Sequence, residues 1–214
     1  MDLRGHGRSS APEDITYTPR DFSADAAALL RHLNVPNVLV MGHSMGAVTA
    51  STLAVLEPAL IKGIVLVDPP YWNLSAKMDA MMPGVVSHPD IVQWTLNYYP
   101  TLVVEDTPQW MKAWYLRRVE GMPSHVVRKC LEGMYGEGGL GRAEVSTEFV
   151  VGKRNVPRLA VYAKRDDAEK ERGLGMGFGD EVVSMEGVGH WMHQAKSEEF
   201  NDLLGKWLQH SEKN

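Results

Sequence analysis

The sequence predicts an α/β fold, a parallel sheet flanked by helices and interrupted by a mostly helical insertion. Three observations predict it. Short apolar runs recur at Val38-Leu39-Val40-Met41, Ile64-Val65-Leu66-Val67 and Leu159-Ala160-Val161-Tyr162-Ala163, with Glu181-Val182-Val183-Ser184-Met185 as a fourth. Their length suits strands buried on both faces. A helical pattern separates the first two, and strand–helix–strand order implies a right-handed parallel crossover. Finally, the texture changes between residues 71 and 150, where strand-like runs cease and Trp72, Trp94, Trp110 and Trp114 gather. The expected organisation is a core built from 1–70 and 151–214, with 71–150 as a helical insertion.

Residues 2–17 are polar and rich in turn formers. Thr18-Pro19-Arg20-Asp21 reads as a helix start, because Thr18 can cap, Pro19 suits the first helical position and an acid favours the helix dipole. Phe22, Ala26, Leu29, Leu30 and Leu33 follow at helical spacing, and Asn34 and Pro36 end the helix. The run 38–41 is the first strand. Ala47 to Leu56 reads as a helix stopped near Pro58, and 64–67 is the second strand, closed by Asp68-Pro69-Pro70. Inside the insertion, helical patterns around 89–99, 107–120 and 123–135 each start near a proline (Pro89, Pro108, Pro123), and Gly136 to Gly141 form a loose connector. The third and fourth strands follow. A last helix, capped by Ser197, buries Phe200, Leu203, Leu204, Trp207 and Leu208. No internal repeat is present.

Composition is that of a globular protein: 214 residues, 44% hydrophobic and 23% charged, with a net charge of -5. Nothing in it suggests the basic face of a nucleic-acid binder. One cysteine, Cys130, rules out an internal disulfide framework and fits a reducing, cytoplasmic setting. The N-terminus has no apolar signal region, and no apolar run is long enough to span a bilayer.

The sharpest chemical feature is Gly42-His43-Ser44-Met45-Gly46, placed between a buried strand and a helix. So tight a turn forces its central residue into a strained conformation, flanking glycines remove clashes, and the serine hydroxyl is pushed out at the sheet edge. The helix N-terminus behind it favours developing negative charge. Serine is a weak nucleophile at neutral pH and needs a base. His190, in Gly187-Val188-Gly189-His190-Trp191 after the fourth strand, reaches the same edge and is preferred over His193. His43 should turn its side chain away from the nucleophile. The base needs an orienting carboxylate. Asp166 and Asp167 follow the third strand, and either gives the order Ser, Asp, His expected for this arrangement. Asp68 competes, but reads more simply as a turn aspartate before Pro69. Gly173-Leu174-Gly175-Met176-Gly177 lacks the strand–glycine–helix placement of a nucleotide site and reads as a flexible loop.

With these residues in place, the sequence resembles the α/β-hydrolase fold-1 family of esterases and C–C hydrolases. The resemblance rests on Asp2-Leu3-Arg4-Gly5-His6-Gly7-Arg8-Ser9, the Ser44 elbow, Ala163-Lys164-Arg165-Asp166 and Gly189-His190. Glycine is commoner in the family where Ala163 stands. The resemblance implies a Ser44–His190–Asp166 triad, an oxyanion donor at the Met45 amide, substrate contact through His43 and Trp191, a helical cap at 71–150, and no cofactor or metal. A serine nucleophile argues against epoxide hydrolases and haloalkane dehalogenases. The Asp2–Ser9 stretch is expected to turn the chain near the site. In the family, four strands precede that motif, so the resemblance also implies an N-terminally truncated fold. Such a fold lacks one oxyanion donor, at a cost of about 2.7–4 kcal/mol of transition-state stabilisation. It also leaves an apolar edge at 38–41 open to self-association. The expected function is hydrolysis of an ester, thioester or activated C–C bond of a small, apolar acyl substrate through an acyl-enzyme. The alternatives are a catalytically impaired remnant, a non-enzymatic binding protein, or a lyase or cofactor-free oxygenase on the same scaffold.

Overall fold

The computed structural model describes residues 1–211. Four strands, β1 (Val38–His43), β2 (Ile61–Val67), β3 (Arg158–Tyr162) and β4 (Glu181–Ser184), form one parallel sheet in the order β1-β2-β3-β4. α1 (Pro19–His32) precedes β1, and α2 (Met45–Leu56) crosses from β1 to β2. Five helices lie between β2 and β3: α3 (Ser75–Val86), α4 (Ile91–Tyr98), α5 (Gln109–Glu120), α6 (Ser124–Tyr135) and α7 (Ala143–Val150). α8 (Arg165–Gly173) joins β3 to β4, and α9 (Met192–Ala195) and α10 (Ser197–Ser211) close the described chain.

The local chemistry explains most of these boundaries. Thr18 caps α1 in a reciprocal capping box: its hydroxyl accepts from the Asp21 amide while the Asp21 carboxylate accepts from the Thr18 amide, with Pro19 in the first turn. β2 and β3 are central and bury their apolar residues on both faces, as parallel strands do. One face packs against α1 and α2 through Ala27, Leu53, Ile64, Leu66 and Ala160. The other packs against α10 through Val65, Val161, Phe200 and Trp207. α2 is buried from Ala47 to Ala54, which accounts for its lack of any polar face. β1 is an edge strand of this sheet, and Met41 on it is 47% exposed.

Four of the described helices lie outside the predicted pattern, the short α9 among them. α3 has Pro83 in its interior, which hides its apolar period of Met78, Met82 and Val85. α7 is only eight residues long. α8 begins at Arg165, just after β3, where no helix was expected. The Asp2–Ser9 stretch is a folded turn. Gly5 and Gly7 take φ +74° and +57°, the Arg8 amide donates to Asp2 Oδ2 at 3.0 Å, and Arg4 forks onto the Asp25 carboxylate at 2.5 and 2.6 Å. Among the described residues, no helix is long and apolar enough to cross a membrane.

Candidate active site

Ser44 stands between β1 and α2 with φ 55° and ψ -123°, the strained geometry the flanking glycines foretold. A Cβ on Gly42 would lie 2.0 Å from the Gly46 carbonyl oxygen, so only glycine allows the chain to double back there. Gly46 itself has open space around it. The Ser44 amide donates to the Val67 carbonyl at 2.9 Å, continuing the β1–β2 ladder by one rung. The Ser44 carbonyl in turn accepts from Ala47 and Val48 and starts the helix. The amides of Met45 and Gly46 fall in the first turn, where no intrahelical acceptor exists, and so form a donor-rich end beside the hydroxyl.

His190 lies after β4, and its Nδ1 is 2.6 Å from Asp68 Oδ2. This corrects the expected pairing. Asp68, not Asp166, holds the imidazole. Asp68 ends β2 with φ 46°, its amide donates to Val161 O at 2.7 Å, and its Oδ1 accepts from the Ala163 amide at 3.0 Å. Both carboxylate oxygens are thereby engaged, one by the backbone after β3 and one by the ring. Asp166 is exposed in the first turn of α8. Asp166 lies in the lining of the same cavity, but the carboxylate that the His190 ring meets is that of Asp68. Asp167 pairs with Lys170 at 2.8 Å on the same helix.

The backbone of His190 is held as firmly as its ring. Its amide donates to the Leu102 carbonyl at 2.8 Å, and its carbonyl accepts from His43 Nε2 at 2.9 Å. Gly189 fits because a Cβ there would meet Leu102 O at 2.7 Å and Val103 Cα at 3.1 Å. His43 and Trp191, both expected to touch substrate, do not line the cavity. His43 turns away from the cavity, and its ring packs 4.4 Å from that of His190 and 4.7 Å from that of His193. Burial first, then the neighbouring His190 and His193, hold the His43 imidazole well below its ordinary value of 6.5, so it is neutral. Burial and His190 lower His193 as well. Trp191 stacks on Tyr115 at 4.1 Å and packs with Tyr99 and Met111, so it ties the base loop to α5 instead of lining the cavity.

Ser44, Asp68 and His190 open together into a cavity of about 620 Å³. Its roof comes from α3 and α4, with Met78, Met81, Met82, Val85 and Trp94, and its mouth carries Lys164, Asp166 and Lys170. Met78, Met82 and Val85 serve two purposes, because they also form the buried core among α3, α4 and α6. Among the described residues, no group of three or more His, Cys, Asp or Glu is placed to hold a metal ion.

A family model described as the alpha/beta hydrolase fold matches residues 1–177. The chain belongs to the α/β-hydrolase fold family. This α/β-hydrolase is 38% identical over 68 residues to a putative esterase/lipase of Haemophilus influenzae, a match covering 32% of this chain and 23% of that protein. It is likewise 38% identical over 82 residues to the 2-(acetamidomethylene)succinate hydrolase of Mesorhizobium japonicum, covering 38% of this chain and 29% of that protein. The matched stretches therefore span less than a third of these relatives. Among solved structures, an esterase from Exiguobacterium antarcticum superposes on 97% of this α/β-hydrolase and 80% of its own chain, with a TM-score of 0.76 at 18% identity. At that identity the likeness shows the fold.

Proposed function

We propose that the protein is a serine hydrolase acting on carboxylic esters or thioesters through an acyl-enzyme. The observation that carries this reading is the 2.6 Å His190–Asp68 pair opening into the same cavity as a strained Ser44 at a helix N-terminus. With Nδ1–H donated to Asp68, the remaining ring nitrogen, Nε2, is the proton acceptor. The Ser44 hydroxyl attacks the substrate carbonyl as Nε2 takes its proton. The negative oxygen of the tetrahedral intermediate is met by the Met45 amide and the α2 dipole. Collapse expels the alcohol or thiol, which receives the proton from His190, and water attacks the acyl-serine by the same route in reverse. Asp68 stays ionised throughout and stabilises the imidazolium.

The methionine-rich roof supports an apolar acyl group, since unbranched thioether side chains adapt to irregular surfaces. Esterase, lipase and hydrolase relatives support the same reaction class. The test is labelling with a fluorophosphonate probe together with hydrolysis of p-nitrophenyl esters of increasing chain length. The expected result is modification of Ser44, abolished in Ser44→Ala, with turnover lost in parallel. A folded protein that resists the probe and hydrolyses none of the esters overturns the proposal.

A further inference from the structure

We propose that His43, the residue before the nucleophile, is a positioning residue that holds the catalytic base in register with Ser44. The inference rests on the hydrolase reading above and concerns a group that reading does not use. Carbonyl oxygens only accept, so the 2.9 Å contact between His43 Nε2 and His190 O fixes the His43 tautomer with its proton on Nε2. The donor is attached one residue from the nucleophile on β1. The acceptor belongs to the base itself, 147 positions later in the chain.

Two further contacts make the arrangement a clamp. The His190 amide is taken by Leu102 and its Nδ1 by Asp68, so every polar group of the residue except Nε2 is engaged. The His43 ring also packs at a tilt against both His190 and His193, with ring centroids 4.4 and 4.7 Å away. A neutral ring there leaves room for the positive charge that His190 must accept during turnover, since a second imidazolium at that distance would repel it. Cutting the His43 tie frees the loop carbonyl, and small misplacements of a base carry large rate penalties.

The experiment compares His43→Phe, which keeps a flat ring without the donor, with His43→Gln, whose amide can reach the same carbonyl. Steady-state hydrolysis of a p-nitrophenyl ester should show kcat at least tenfold lower in H43F with KM within about threefold, and recovery to within about threefold of wild type in H43Q. Long-range proton–nitrogen NMR on the wild-type protein should show His43 protonated at Nε2. It should also show a sharp, strongly downfield His190 Nδ1 proton that broadens in H43F and persists in H43Q. Should phenylalanine prevent folding, His43→Asn, whose amide is too short to reach, takes its place with the same expectation. Unchanged kcat in H43F, equal losses in both variants, or a wild-type His43 protonated at Nδ1 each overturn the proposal. Failure of the hydrolase reading is separately visible, because wild-type Ser44 would then resist the fluorophosphonate while the NMR comparison still reports on the clamp.

Discussion

Asp68 and Asp166 have the same side chain at two strand ends, and backbone geometry alone separates their roles. Asp68 reaches His190 because its backbone turns through a positive φ at the end of β2, next to the strand that carries Ser44. Replacing it with asparagine leaves the volume intact but offers an amide that can donate to Nδ1, favouring the wrong tautomer and removing the charge that steadies the imidazolium. Asp68→Asn should lower kcat on p-nitrophenyl butyrate about 10³–10⁴-fold with little change in KM. Asp166→Asn should stay within about threefold of wild type, and the reverse pattern would restore Asp166 to the triad. Ser44 and His190 stood out in the sequence because glycines flank the first and precede the second, and two of those glycines answer to contacts the structure contains: Gly46 O against Gly42, Leu102 O against Gly189. Asp68 was visible as a candidate but lost to Asp166. Nothing in Asp68-Pro69-Pro70 announces a left-handed φ, and nothing in Lys164-Arg165-Asp166 announces that a helix begins there.

At the level of elements, strands and long amphipathic helices were legible, whereas α3, α7, α8 and the short α9 were not. α8 is charged on nearly every turn, so its burial of Ala168 and Glu171 leaves no apolar stripe to read. The role of the helices between β2 and β3 was also only half visible. Their apolar residues build their own core, but the connection after α4 reaches down to the base loop, where Leu102 accepts from the His190 amide. Gly189→Ala drives a methyl into that connection. It should destabilise the fold by about 1–3 kcal/mol, as overpacking does, with a lower melting temperature in calorimetry. It should also reduce kcat by more than the fraction of unfolded protein explains. A variant as stable and as active as wild type would show that the connection yields without cost.

Across the whole molecule, the sheet has the candidate site at one end of its strands and a buried ionic network at the other. Glu171 is fully buried and accepts from Arg154 and from Arg158 Nε at 2.8 Å and from the Tyr162 hydroxyl at 2.9 Å, while Arg158 also pairs with Asp180. This network links the approach to β3 with α8 and the approach to β4. Removing one member of such a cluster leaves charges buried without partners, so Glu171→Ala should cost about 3–5 kcal/mol, read as a lower urea midpoint at unchanged slope. Labelling of Ser44 should persist in the fraction that stays folded, since the network lies away from the cavity. A loss below about 1 kcal/mol would mean that water enters and takes over the contacts.

The rung formed by the Ser44 amide and Val67 carbonyl fixes how far the nucleophile stands from Asp68. A slip of one residue between those two neighbours displaces the carboxylate by about 3.3 Å and points it through the opposite side of the layer. Spacing of Ser44 and Asp68 is therefore decided when β1 and β2 zip together, before any ligand arrives. A misaligned molecule could keep much of its secondary structure and still be inert, so circular dichroism would pass it and only a reactive probe would expose it.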